Sequence, residues 1–354
     1  MIRVVVAEDS LTVRELLIAI LESDPEIRVV GRAKNGAEAV ELATRLKPDL
    51  VTMDVHMPVM DGFEATKEIM VRVPTPILIV SSSASGREVE LSLNAMRAGA
   101  LMVIAKPDDP QSARFDGRQA DLVTMAKAMA RVKVVRRWAP QPRAALPSPA
   151  RQMAPGAPVR LVAVAASTGG PAALQRILTA LPGDFAAPIL VVQHIATGFV
   201  AGLADWLSAS CNLRVKVAEH GDPLLKRTVL LAPDDRHAGV SPDGRVVVVD
   251  APPVNGFRPS GTYLFESAAR AYGASVAAVI LTGMGSDGVQ GLKAVKAAGG
   301  RVLAQDEASS VVYGMPGEAV AAGVVDAVLA VDEMAPRLAQ LISGGNDADT
   351  RPRR

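Results

Sequence analysis

The chain has 354 residues, 49% of them apolar, with 38 basic against 37 acidic side chains and a formal net charge of +1. That length exceeds what one hydrophobic core organises, so two domains are expected, and the charge balance supplies no long-range field to draw nucleic acid or an anionic membrane. The lone cysteine, Cys211, excludes an internal disulfide and has no histidine cluster beside it to form a zinc site, which fits a reducing cytoplasm.

The apolar run after Met1-Ile2-Arg3 stops at Glu8-Asp9, too short for a signal peptide, and no later stretch reaches the length of a membrane span. A soluble cytoplasmic protein without direct membrane insertion is expected. Strand-like runs at 2–7, 27–33, 50–53, 77–80 and 101–104 alternate with helix-like ones at 11–22, 36–46, 62–71, 87–98 and 118–134. Such βα alternation predicts a doubly wound parallel sheet over residues 1–135. Prolines at 140, 142, 147, 149, 155 and 158 among Ala, Arg and Gln mark 136–158 as an extended linker. A larger α/β domain is expected over 159–343, with Pro233-Asp234 and Ser241-Pro242-Asp243-Gly244 as turns of a β-hairpin extension between Val229 and Val249. Residues 344–354 form a polar tail.

Glu8 and Asp9 close the first run, Asp54 the third and Lys106 the fifth. If those strand ends converge, the carboxylates repel one another unless a cation or proton offsets the charge. An all-oxygen cluster of this kind suits Mg2+, while Lys106 would neutralise an incoming phosphate and Ser81 or Ser82 could donate a hydrogen bond to it. The stretches Ala7-Glu8-Asp9-Ser10, Met53-Asp54-Val55-His56-Met57-Pro58-Val59-Met60-Asp61-Gly62 and Ala105-Lys106-Pro107 resemble the receiver domain of response regulators. The resemblance implies that Asp54 accepts a phosphoryl group from a histidine kinase. It also implies that Glu8, Asp9, Asp54 and the backbone of His56 hold Mg2+, and that Lys106 contacts the phosphate. The aromatic switch position of receivers is occupied here by Val103, which makes the aromatic-rotamer route of signalling an open question.

In the second half, Ser167, His194 and Asp287 each stand where an apolar run (161–166, 189–192, 277–281) gives way to loop formers. Carboxyl ends of neighbouring parallel strands share one crevice, where open α/β sheets bind ligands. Serine needs a base to become a nucleophile, and a histidine base needs a carboxylate to orient it, so these residues suggest a hydrolase that calls for no cofactor. Gly169-Gly170-Pro171 predicts a tight turn into a helix with proline at its first position, and Gly283-Met284-Gly285 allows close main-chain approach, so Thr168 and Met284 could build an oxyanion hole. A phosphate cradle is the rival for 167–171, weakened by the absence of P-loop and dinucleotide-fold spacing. Arg258 and His237 are candidates for contacting substrate, although His237 could equally brace the hairpin.

The stretches Ala166-Ser167-Thr168-Gly169-Gly170-Pro171, Val192-Gln193-His194, Pro252-Pro253-Val254-Asn255, Arg258-Pro259-Ser260 and Leu281-Thr282-Gly283-Met284-Gly285-Ser286-Asp287-Gly288 resemble the catalytic domain of chemotaxis protein-glutamate methylesterases. That resemblance implies Ser167 as nucleophile, His194 as base, Asp287 as its orienter, and Thr168 and Met284 as oxyanion supports. The implied substrate is a γ-glutamyl methyl ester on a chemoreceptor, with glutamine deamidation in some members, and a receiver that covers the crevice until Asp54 is phosphorylated. Departures at Ala166, Ile195-Ala196 and Gly261-Thr262 concern the substrate surface. Two other readings remain: a phospho-regulated docking module with an inert α/β domain, and a serine hydrolase acting in another signalling pathway. A transcription factor is disfavoured by the absence of a basic recognition helix.

Overall fold

Central strands of a parallel sheet are covered on both faces and are therefore apolar throughout, whereas the crossover helices need only one apolar stripe. Both halves of the chain follow this pattern. The computed structural model describes residues 1–82, 86–107, 115–132, 134 and 157–343. The expected linker, apart from 157 and 158, and the expected tail lie outside the described residues. Contacts divide the chain into two compact units, Met1–Leu146 and Pro147–Arg354, and no helix of the described residues is long and apolar enough to cross a membrane.

The first unit runs β1 (Ile2–Ala7), α1 (Leu11–Glu22), β2 (Ile27–Ala33), α2 (Gly36–Leu46), β3 (Leu50–Met53), α3 (Gly62–Arg72), β4 (Ile77–Ser81), α4 (Gly86–Ala98), β5 (Met102–Ala105) and α5 (Phe115–Met129). Its five strands are parallel in the order β2-β1-β3-β4-β5. Three helices start where a side-chain oxygen takes an otherwise orphaned N–H: Ser10 from Val13, Asn35 from Glu38 and Asp61 from Glu64. The last elements depart from the sequence expectation. Strand β5 is Met102–Ala105, one residue later than expected at each end, with Leu101 N still bonded to Ile77 O. Helix α5, described from Phe115, ends at Met129 instead of Val134, with Leu122, Ala126 and Met129 buried in the core.

The second unit runs β6 (Leu161–Ala166), α6 (Gly170–Ala180), β7 (Ile189–Gln193), α7 (Val200–Ser210), β8 (Arg214–Val217), β9 (Thr228–Leu231), β10 (His237–Val240), β11 (Val246–Val249), α8 (Gly261–Tyr272), β12 (Val276–Ile280), α9 (Val289–Ala297), β13 (Arg301–Gln305), α10 (Met315–Ala321), β14 (Ala327–Leu329) and α11 (Val331–Ser343). Seven strands form a parallel sheet in the order β14-β13-β12-β6-β7-β9-β8, with β6 buried along its whole length. The chain leaves β6 towards β7 on one side and returns as β12 on the other, so the sheet reverses its winding at β6. The β extension is smaller than expected: β10 and β11 pair antiparallel across Ser241–Gly244, but Val229 belongs to the parallel sheet. Pro233-Asp234 is thus a connection from β9 to β10 and no part of a hairpin turn.

Gly62 is a steric requirement of the first unit. A Cβ there would stand 2.1 Å from the Asp54 carbonyl oxygen and 2.8 Å from Val55 Cα. Gly62→Ala should therefore lower the stability of this unit by about 1–3 kcal/mol, read as a fall in its urea midpoint; an unchanged midpoint would contradict the close approach of α3 to the Asp54 loop.

Candidate active site

Pairing continues one residue past the strand ends at the winding reversal. Ser167 N donates to Thr282 O (3.0 Å) and His194 N to Ala166 O (2.9 Å). The loops after β12, β6 and β7 are thereby held side by side, so that Ser167 and His194 stand on neighbouring loops and His194 meets Asp287 at 3.0 Å. Ser167 is 6% exposed and starts a turn in which Gly170 N donates to Ser167 O (2.8 Å) and Gly169 takes φ +77°. That φ suits glycine, and a Cβ there would also meet Val311 at 2.5 Å.

Asp287 is buried and receives four donors: His194 Nε2 (3.0 Å), Ser260 Oγ (2.7 Å), Gly261 N (2.6 Å) and Thr262 N (3.2 Å). Gly261 and Thr262 open α8, and Ser260 caps it, so the carboxylate sits on the positive end of that helix. Burial by itself raises the carboxyl, but the hydrogen bonds from His194, Ser260 and Gly261 outweigh it and hold Asp287 below the usual carboxylate range. An ionised carboxylate only accepts, so His194 carries its proton on Nε2. His194 Nδ1 is left with a lone pair, buried and without a hydrogen-bond partner among the described residues.

Further residues, among which the sequence gives Phe257 and Thr282 no role of their own, surround these three. Asn255 (φ +51°) and Gly256 (φ +84°) form a two-residue turn between Val254 and Phe257, which exchange both backbone hydrogen bonds. Asn-Gly is the sequence signal for such a turn, and it sets the Phe257 ring on His194 at 4.7 Å between centroids and 12° between planes. Thr282 Oγ1 donates to Thr168 O (2.9 Å) and accepts from Val311 N and Val312 N (both 3.0 Å), while Thr282 N donates to Gln305 Oε1 (2.8 Å). Gly283 O takes Gly314 N (3.1 Å) and Met315 N (2.9 Å). The N–H of the peptide that this carbonyl begins, that of Met284, consequently points the opposite way.

The two substrate candidates are otherwise engaged. Arg258 is tied to Asp235 (2.7 Å), Asp250 (3.1 Å) and Ala251 O (3.2 Å). His237 is fully buried, bonded through Nε2 to Pro252 O (3.1 Å) and stacked on Tyr263 at 4.9 Å, which is the bracing arrangement.

In the first unit Glu8, Asp9 and Asp54 place oxygens within 4.8 Å of one another. Glu8 and Asp54 are buried, Asp9 exposed. Lys106 Nζ lies 2.9 Å from Glu8 Oε2 and 3.0 Å from Asp54 Oδ2. Burial and then the Asp54 charge push Glu8 up to about 7; burial also raises Asp54 despite Lys106 and the backbone N–H groups of Val55 and His56. Ser81 is buried at the end of β4, its Oγ on Ser82 O (3.3 Å), and its own carbonyl accepts Lys106 N (3.0 Å). His56 is exposed and Val103 is 1% exposed in β5, paired with Ile79. Three carboxylates, with Glu8 and Asp54 raised, against one ammonium are an incompletely compensated set that fits a hard divalent cation.

A parallel sheet with this acidic cluster is thus followed by an α/β unit in which a histidine–aspartate pair stands beside the loop that carries a serine. Comparison with known proteins places it further. The response regulator receiver domain profile matches residues 4–114 and the CheB methylesterase profile residues 162–338. "Protein-glutamate methylesterase/protein-glutamine glutaminase 4" of Myxococcus xanthus is 55% identical over 345 residues, covering 97% of this chain and 98% of that protein. The enzyme of the same name numbered 3 from Anaeromyxobacter dehalogenans is 56% identical over 342 residues, covering 96% and 98%. The crystal structure of the Thermotoga maritima CheB methylesterase catalytic domain superposes with a TM-score of 0.50 at 39% identity, covering 52% of this chain and 98% of that one. The chain belongs to the CheB family of protein-glutamate methylesterases, with a receiver domain in front of the catalytic one.

Two pH effects follow from these carboxyls. Asp287 has a folded pKa below its unfolded one, so its stabilisation is present above about pH 4 and is lost as pH falls through the folded value. Asp287→Asn should accordingly flatten the acid-side loss of stability of the catalytic unit, measured as urea midpoints on descending pH. Glu8 is shifted the other way: its stabilising protonated form disappears as pH rises from the ordinary carboxylate range to about 7. Millimolar Mg2+ should hence raise the melting temperature of the receiver more at pH 8 than at pH 5, and Asp9→Ala should abolish the difference.

Proposed function

We propose that this protein hydrolyses γ-glutamyl methyl esters of chemoreceptors to glutamate and methanol, under the control of phosphorylation at Asp54, as part of chemotaxis adaptation. The observation that carries the reading is the polarity of the histidine. Asp287 engages Nε2 and leaves Nδ1, buried and without a partner among the described residues, as the nitrogen able to act as base, and His194 follows the strand next to the one that delivers Ser167.

In the proposed reaction His194 Nδ1 takes the Ser167 hydroxyl proton as Ser167 Oγ attacks the ester carbonyl. Charge moves to the carbonyl oxygen, faced by the Thr168 and Met284 N–H groups. The imidazolium, held between Asp287 and the Phe257 ring, returns its proton to the departing methoxide, and methanol leaves. Water then repeats the sequence on the acyl-serine, releasing the glutamate and restoring Ser167. The same steps on a γ-carboxamide would release ammonia, and the relatives named above are called glutaminases as well as methylesterases.

In the receiver, Asp54 would take the phosphoryl group from the phosphohistidine of a chemotaxis kinase, the P–N bond breaking as the P–O bond forms. Lys106 would move from pairing with Asp54 to pairing with a phosphoryl oxygen, and Ser81 stands beside it to donate a hydrogen bond. Glu8, Asp9, Asp54 and the His56 backbone would hold Mg2+, which supplies neutralisation of phosphoryl charge when bound. Val103, being small and packed in the core, has no aromatic ring to swing, so the aromatic-rotamer route is closed at this position.

The decisive experiment follows methanol release from methylated chemoreceptor membranes with and without a small phosphodonor. Wild type should release methanol faster with phosphodonor, Asp54→Asn should lose only that stimulation, and Ser167→Ala should fall by about 10³-fold or more. Undiminished release by Ser167→Ala would reject the nucleophile, and no release from any receptor would favour a different ester substrate.

A further inference from the structure

Gln193, the last residue of β7, lies between the two residues that the mechanism depends on. Its side chain is 4% exposed, and its Nε2 donates to both Ser167 O and His194 O at 2.8 Å. These are the main-chain carbonyls of the proposed nucleophile and the proposed base. We propose that Gln193 is a positioning residue: one carboxamide fixes the spacing of nucleophile and base and sets the aim of the Thr168 N–H. The proposal rests on the roles given above to Ser167, Thr168 and His194.

A primary amide has two N–H groups rigidly disposed in one plane, so a single nitrogen satisfying two carbonyls fixes the distance between them. At Ser167 O a second donor arrives, Gly170 N at 2.8 Å. The C=O and N–H of a trans peptide point in opposite directions. Two donors on the Ser167 carbonyl therefore lock the Ser167–Thr168 plane, and the Thr168 N–H cannot turn away without breaking both bonds. Preorganised donors of this kind cost no reorganisation when charge develops on the substrate oxygen.

The seat of the amide points the same way. A Cβ on Gly170 would fall 2.0 Å from Gln193 Oε1, so only glycine at 170 admits the carboxamide in this pose. Gln193 Oε1 is buried without a hydrogen-bond partner among the described residues. A residue required only for packing would not need a polar head that leaves its oxygen unsatisfied; the two carbonyls facing Nε2 account for it. Reversing the amide would set oxygen against both carbonyls.

The test uses the full-length protein with two readouts: the rate at which a fluorophosphonate labels Ser167, and methanol release from methylated receptor membranes. Gln193→Met keeps the length and removes both bonds; it should label about 10- to 100-fold more slowly, with kcat falling likewise and KM within about threefold. Gln193→Glu can donate only when protonated, so its labelling should fall with rising pH relative to wild type, a dependence that a packing role would not create. Gly170→Ala, which displaces the amide, should slow labelling in wild type and cost less in the Gln193→Met background. A Gln193→Met protein that melts as wild type does and labels at the wild-type rate overturns the proposal, as does a Gln193→Glu profile parallel to wild type. Should Gln193→Met fail to fold, the Gln193→Glu profile decides. Wild type that labels at Ser167 but releases no methanol would remove the substrate reading and leave the labelling rates to judge Gln193; wild type that does not label removes both.

Discussion

Parallel hydrogen bonding that runs on beyond the strands is the interaction from which the catalytic unit takes its shape. The bonds from Ser167 N to Thr282 O and from His194 N to Ala166 O extend the β12-β6-β7 ladder into the loops. Side chains leaving those loops are consequently held a strand spacing apart instead of wandering as loop residues do. This is also the place where the sheet reverses its winding, the position at which open α/β sheets bind ligands.

Charge is handled differently in the two units. Asp287 is buried among donors that favour its ionised form, including the start of α8, and it can stay charged without a cation. Glu8 and Asp54 are buried against each other, paired with the Lys106 ammonium and a few backbone N–H groups that do not outweigh burial. The first arrangement is satisfied by protein donors alone; the second leaves carboxyl charge that an added divalent cation would offset.

Much of the candidate chemistry is legible in the chain because Ser167, His194, Asp54 and Lys106 stand at or within two residues of the ends of apolar runs, and parallel strands deliver their carboxyl ends to one edge. Asp287 stands six residues past its run and is marked only by the turn formers between. The β extension was overdrawn: Val229 looked like part of a hairpin because short apolar runs near Pro-Asp and Pro-Asp-Gly read alike, whether their partners lie next in sequence or far away. The end of α5 is also not legible, because a helix with weak periodicity gives no clear stop, and its last buried residue is Met129. Arg258 looked available for substrate, and only the approach of Asp235 and Asp250 shows it engaged. Phe257 had a signal in the preceding Asn-Gly, which announces a tight turn but not what the turn faces.

The sequence by itself determined the two α/β units, the strand-end positions of the reactive side chains and the types of chemistry they can perform. Those follow from local rules: apolar periodicity, turn formers and the few residue types able to act as nucleophile, base or phosphate acceptor. Tertiary structure alone decided which nitrogen of His194 faces Asp287, which donors keep Asp287 ionised, and how Gln193, Thr282 and Gly283 pin the loops. Each of these depends on groups distant in sequence meeting within about 3 Å, where hydrogen-bond direction matters, and directionality at that range is set by the assembled sheet and not by any one segment of the chain.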